Sequence, residues 1–124
     1  VARARCALAY AELGLGDLEA AQSHLLEALR WTLEWSSFLV LVEALPTAAL
    51  FLLNVGQIER AVEVYELAGR LPVIANSRWR EDVVGQPVAA AAATLPADVV
   101  TAERERGRTR DLWATVETLL AELR

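Results

Sequence analysis

Few side chains in this sequence are capable of covalent chemistry, and their spacing decides what they can do. There is one cysteine, Cys6, and one histidine, His24. A zinc site needs several Cys, His or acidic ligands together. His24, between Ser23 and Leu25, has no second His or Cys nearby and reads as a surface or edge residue. Cys6 sits in an Ala-rich stretch with no His at helical spacing to draw off its proton, so it reads as a small buried filler. Glu81 and Asp82 are adjacent, and adjacent residues on a helix do not face each other, so they read as solvated carboxylates. No Gly-rich loop opens a helix with dinucleotide or phosphate spacing. No catalytic residue, metal site or cofactor is therefore expected, and the chain reads as a non-enzyme.

Two residue classes remain that could recognise something. The arginines Arg104, Arg106, Arg108 and Arg110 form a basic cluster, but Glu103, Glu105 and Asp111 interleave with it. A helix end with salt-bridging arginines is the expected outcome. The four tryptophans are Trp31 and Trp35, one helical turn apart, and Trp79 and Trp113 further on. They read first as packing between helix pairs and second as binding anchors, because Trp is enriched where interfaces concentrate their energy.

Composition narrows the partners. The 124 residues carry a net charge of −5, all 12 basic residues being Arg. An acidic chain repels phosphate backbones, so direct nucleic-acid binding is not expected. One cysteine allows no intrachain disulfide, which suits a reducing, cytoplasmic location. No apolar run reaches the roughly 18 residues of a membrane span. The chain starts at Val1 and contains no Met, and it reads as a piece of a longer protein.

The elements that would position these residues are helices. Ala and Leu dominate the 55% apolar share, and both lose little side-chain freedom in a helix. Helices are predicted over 2–13 (closing at a left-handed Gly14), 18–35 (capped by Asp17), 38–53, 57–70, 97–106 (ending at Gly107) and 110–123 (capped by Thr109). Asn54 is expected to take the same left-handed role as Gly14. Pro46 predicts a bend or break near Glu43–Pro46. Residues 72–77 are predicted as a loop, with Asn76 or Ser77 capping the next helix. Residues 78–95, interrupted by Gly85-Gln86-Pro87, allow one kinked helix or two short ones. No stretch alternates with period two for long, so the class is all-α.

The sequence also repeats. Slid against itself by about 40 residues, a solenoid-scale period, it pairs Leu13 with Leu53, Gly16 with Gly56, Glu19 with Glu59, Ala21 with Ala61, Ala28 with Ala68, and Arg30 with Arg70. Such self-similarity is the mark of stacked helical units. The runs Gly16-Asp17-Leu18-Glu19-Ala20-Ala21, then Leu25 and Ala28, and Gly56-Gln57-Ile58-Glu59-Arg60-Ala61, then Tyr65 and Ala68, resemble the second-helix signature of the tetratricopeptide family. The period is longer than that family's standard unit of roughly 34 residues. The family's proline after the second helix is missing in the first copy, and Pro72 stands near it in the second. The resemblance covers residues 3–72. It implies an α-solenoid of antiparallel helix hairpins: 1–72 as two tetratricopeptide-like hairpins, and 73–124 as a C-terminal helical cap packed on the second, in one continuous domain.

The C-terminal part carries another likeness. Asn76-Ser77-Arg78-Trp79, Leu95-Pro96-Ala97-Asp98-Val99-Val100, Glu105-Arg106-Gly107-Arg108 and Leu112-Trp113-Ala114-Thr115-Val116 are similar to the ends of bacterial signalling ATPases of the STAND class. These include activators of the LuxR and maltose-regulator types. The likeness implies a sensor region that lies after upstream nucleotide-binding domains. The tetratricopeptide resemblance places Arg3, Cys6, Tyr10, Glu43, Leu50 and Asn54 on a concave face that would meet a protein partner or small effector. The alternative is a structural array cap that self-associates as a homodimer.

Overall fold

The computed structural model describes residues 4–124 and the backbone of Ala2 and Arg3. All the described regular structure is helical.

Helix α1, Ala2–Leu15, runs one residue past Gly14. The left-handed residue is Gly16, at φ 78°, and its counterpart in the second copy is Gly56, at φ 85°. The sequence-based choices of Gly14 and Asn54 for this role are corrected: Gly14 stays helical, and Asn54 is the last residue of α3. The two turns share one hydrogen-bond pattern. Gly16 N donates to Leu13 O and Asp17 N to Glu12 O, while Gly56 N donates to Leu53 O and Gln57 N to Leu52 O. In both copies the glycine bond is 3.2 Å and its neighbour 2.9 Å. A positive φ at these points favours glycine, which has no Cβ to clash.

Helix α2, Leu18–Trp35, is capped by Asp17, whose Oδ1 accepts from Ala20 N at 3.2 Å. It buries Ala21, Leu25, Ala28, Leu29 and Thr32 on one stripe. Ser36 ends it in the left-handed region at φ 47°, and Ser37 Oγ caps α3 by accepting from Val40 N. Helix α3, Phe38–Asn54, is buried over most of its length, as its apolar sequence requires. It runs unbroken through Pro46. Proline removes one donor from the ladder, and the next carbonyl, Glu43 O, gains an extra one from Thr47 Oγ1 at 2.7 Å.

Helix α4, Ile58–Ala68, leads to the four-residue helix α5, Pro72–Ala75, inside the stretch predicted as loop. Next come α6, Arg78–Arg80, a π turn at Glu81–Gly85 and α7, Gln86–Ala92, with no break between them. Pro87 has no N–H to donate; Gln86 N reaches back five residues to Glu81 O, and the π turn absorbs the mismatch. Helix α8, Ala97–Thr109, continues through Gly107. A Cβ there would lie 2.5 Å from Glu63 O and 2.8 Å from Glu66 Cβ, so the glycine marks a close helix crossing, not a helix end. Helix α9, Leu112–Glu122, is capped by Asp111, whose Oδ2 accepts from Ala114 N at 2.8 Å. Thr109, predicted as that cap, belongs to α8 and donates to Glu105 O.

Consecutive helices α1 to α4 pack on one another, and α1 also lies against α3. The region 73–124 divides its contacts. Helices α7 and α8 lie on α4, whereas α9 returns to α2. It runs antiparallel to α2: Trp113 meets Phe38 just beyond the end of α2, and Gln22 near its start donates to Leu123 O. The buried apolar side chains form one cluster from Cys6 to Leu123. No described helix is long and apolar enough to cross a membrane.

Candidate interaction surface

The seam between α1 and α3 holds two of the residues predicted to face a partner. Tyr10 and Glu43 lie in it, and α6 lies over them. The Tyr10 ring takes the Trp79 ring edge-on, with centroids 5.4 Å apart and planes at 75°. Glu43 Oε1 accepts from an Arg80 terminal nitrogen at 2.9 Å, and both side chains are largely buried. One residue further on, Glu81 Oε2 accepts from the Tyr65 hydroxyl at 3.1 Å. Burial and the Glu81 carboxylate push the Tyr65 phenol up to about 12, so it remains a donor at neutral pH.

The predicted set is only partly brought together. The Arg3 side chain lies outside the described residues. Cys6 is 1% exposed and is corrected from a surface residue to a core one. Burial, helped by the charge of Glu43, raises its thiol to about 12, so at neutral pH it is not a nucleophile. Leu50 is half-buried. Asn54 is exposed, with its amide donating to Leu50 O at 2.8 Å. Among the described residues of the predicted face, the Leu50–Asn54 end is the open one; the Tyr10–Glu43 end is covered by this chain's own α6.

The seam is imperfectly satisfied. Tyr10 Oη and Arg80 Nε are buried with no hydrogen-bond partner, two of the three such side-chain atoms among the described residues. Burial raises the Tyr10 phenol, which keeps it protonated. Thr47 lies beside Cys6 and Tyr10 but donates its proton to Glu43 O. An unmet buried polar atom costs about 1–3 kcal/mol.

A second concavity, of about 500 Å³, lies where the N-terminus of α4 meets α8 and the end of α9. Its charges already answer one another. Glu63 is buried between Arg60 and Arg110, the latter 2.7 Å away as an ion pair out of hydrogen-bond alignment. Glu103 pairs with Arg106, and Arg60 also reaches Glu122. Arg108 reaches Glu66 and Glu105. Arg106, Arg108 and Arg110 of the predicted basic cluster are thus tied to this chain's own acids. Among the described residues no group of three His, Cys, Asp or Glu could hold a metal ion. His24 Nδ1 lies 2.5 Å from Glu12 Oε1 and joins α1 to α2.

The tryptophans divide. Trp113 is half-buried against Phe38. Trp31 and Trp35 stack at 6.0 Å on the outside of α2, with Trp35 66% exposed, and the neighbouring Phe38 and Leu39 are exposed too. Trp79 stands out in the sequence as one of four tryptophans, whereas Arg80 carries no such mark. Arg80 and Glu43 are far apart in the chain, and neither repeat nor helical period marks the pair.

No family model, curated protein or solved structure matches the chain.

Proposed function

We propose that this chain is a non-catalytic helical-repeat module for protein–protein interaction or effector sensing. In this reading, residues 1–72 are two tetratricopeptide-like hairpins of an α-solenoid and 73–124 close the array. The module would serve as the C-terminal sensor part of a larger cytoplasmic bacterial signalling protein of the STAND type, coupled to upstream domains and without direct nucleic-acid contact. The observation that carries the reading is the pair of matching turns at Gly16 and Gly56, each leading into a helix with small alanines at its packing positions. Two helix pairs related in this way present their first helices, α1 and α3, side by side, which makes the shared seam the natural partner face.

The test is a double substitution, Tyr10→Ala with Leu50→Ala, in the protein that carries this region. Partner affinity is expected to fall about tenfold or more while circular dichroism stays unchanged. Unchanged affinity would reject the assignment of this face.

A second reading, a structural cap that self-associates, is favoured by the exposed corner of Trp31, Trp35, Phe38 and Leu39. Sedimentation velocity separates the two. Concentration-dependent dimers abolished by Trp35→Ala with Phe38→Ala support the cap, and a monomer at all concentrations rejects it.

A further inference from the structure

We propose that the trough between α7 and α8 binds a small zwitterion with an apolar side chain, a free amino acid or a dipeptide, its carboxylate on Arg104 and its ammonium on Glu81. The trough is lined by α4, α7, α8 and the π turn, and not by α1 or α3. The site therefore goes beyond the partner face proposed above, and either can fail without the other.

Packing creates the trough. Helices α1 and α2 close on each other, as do α3 and α4, whereas α7 and α8 both lie on α4. The space between them holds two adjoining hollows, of about 340 and 430 Å³, that share Ala89 and Arg104. Each falls in the range of about 300–1,000 Å³ found for small-ligand sites. Their chemistry differs. Tyr65, Glu66, Glu81 and Arg108 stand with Arg104 around the first. Ala92, Ala93, Leu95, Ala97 and Val100 make the second largely apolar.

Ion pairing around the trough leaves one group of each sign open. Arg108 meets Glu66 and Glu105, and Arg106 meets Glu103. Among the described residues Arg104 meets no acid and Glu81 meets no cation, and the two are too far apart to pair with each other. The Tyr65 hydroxyl donates to Glu81 but brings it no charge. An anion on Arg104 alone would face the uncompensated Glu81, and a cation on Glu81 alone would face Arg104. A molecule with both charges answers both.

Glu81 is held at its wall of the trough. Gln86 N bonds back to Glu81 O across the π turn. A Cβ at Gly85 would collide with Glu81 Oε2 and with the Tyr65 hydroxyl, so the glycine lets carboxylate and phenol meet. The phenol oxygen keeps a lone pair that can accept from an ammonium. Exposed ion pairs are weak singly. The apolar hollow supplies the rest by taking an aliphatic side chain out of water.

Calorimetric titration of the full chain tests this, with leucine and leucyl-leucine as probes. Their N-acetyl forms lack the ammonium, and their amides lack the carboxylate. At least one zwitterion is expected to bind saturably, about tenfold or more tightly than its N-acetyl form and its amide; the tighter zwitterion says whether an amino acid or a dipeptide is the source. Arg104→Gln is expected to weaken that zwitterion about tenfold without weakening its amide. Glu81→Gln, which keeps an acceptor for Tyr65, is expected to weaken it similarly without weakening the N-acetyl form. Both residues are exposed, so circular dichroism is expected to stay unchanged. No saturable binding of either zwitterion, a singly charged form that binds as tightly, or an affinity indifferent to Arg104→Gln would overturn the proposal. Should either variant not fold, the comparison of charged forms on the unaltered chain decides.

Discussion

Cys6 shows how a residue's neighbours settle its chemistry. Its burial and the nearby carboxylate of Glu43 favour the neutral thiol, raising it from 9.0 to about 12. The unfolded chain ionises near the ordinary value, so the folded state loses stability as pH climbs from about 9 towards 12. Tyr65, raised from 10.0 to about 12, acts in the same direction. Alkaline unfolding followed by circular dichroism is expected to flatten over this range in Cys6→Ala; an unchanged slope would show that the thiol is not the titrating group. Gly107 makes a different residue-scale claim. A methyl group there meets the backbone of α4, which cannot swing aside as a side-chain tip can. Gly107→Ala is expected to cost about 1–3 kcal/mol in urea unfolding, and a neutral result would refute the close crossing. The sequence marked Cys6 as core filler through its Ala-rich setting, while the repeat register placed it on the partner face; its burial agrees with the first reading and not the second. It misread Gly107 as a helix end, because a glycine demanded by a neighbouring backbone looks like one demanded by a turn.

Helix ends were the most legible elements, since a cap is a local event. Asp17 caps α2 as expected, and of the two candidates Asn76 and Ser77 it is Ser77 that caps α6. The ends of α8 and α9 were set wrongly because Asp111, an equally good cap just beyond Thr109, takes the role. Among the helix starts without a side-chain cap is Gln57, before α4, with φ −90° and ψ 67°, close to Asp17 at −86° and 78°. Gln57→Asp is therefore expected to stabilise the protein by about 1 kcal/mol, and Asp111→Ala to destabilise it by a similar amount. Thermal unfolding of the two variants checks both signs; a midpoint that falls for Gln57→Asp would contradict the equivalence of the two turns. The π turn at Glu81–Gly85 could not be read from spacing alone. Gly85-Gln86-Pro87 signals interruption, and whether a helix breaks or bulges depends on the surface it must track, here α4 through Tyr65.

At the scale of the whole molecule, the repeat register paired Gly16 with Gly56, and the two turns match in hydrogen bonds and in φ. The return of α9 to α2 had no such signal. Its apolar stripe, with Val116, Leu119 and Leu120 buried, would suit any helical surface, and the pairing is fixed by long-range contacts such as Gln22 with Leu123. For the same reason the sequence pointed to the α1/α3 seam but not to the segment that lies on it. The central claim is that this seam, and not the exposed aromatic corner of α2 and α3, is where the molecule meets its partner. Site-specific photo-crosslinking in cells tests it most directly, with a benzophenone side chain in place of Leu50 or of Trp35 in the protein that carries this region. An adduct from position 50 with a different molecule is expected, lost when Tyr10→Ala is added. No adduct from position 50, together with self-adducts from position 35, would contradict it.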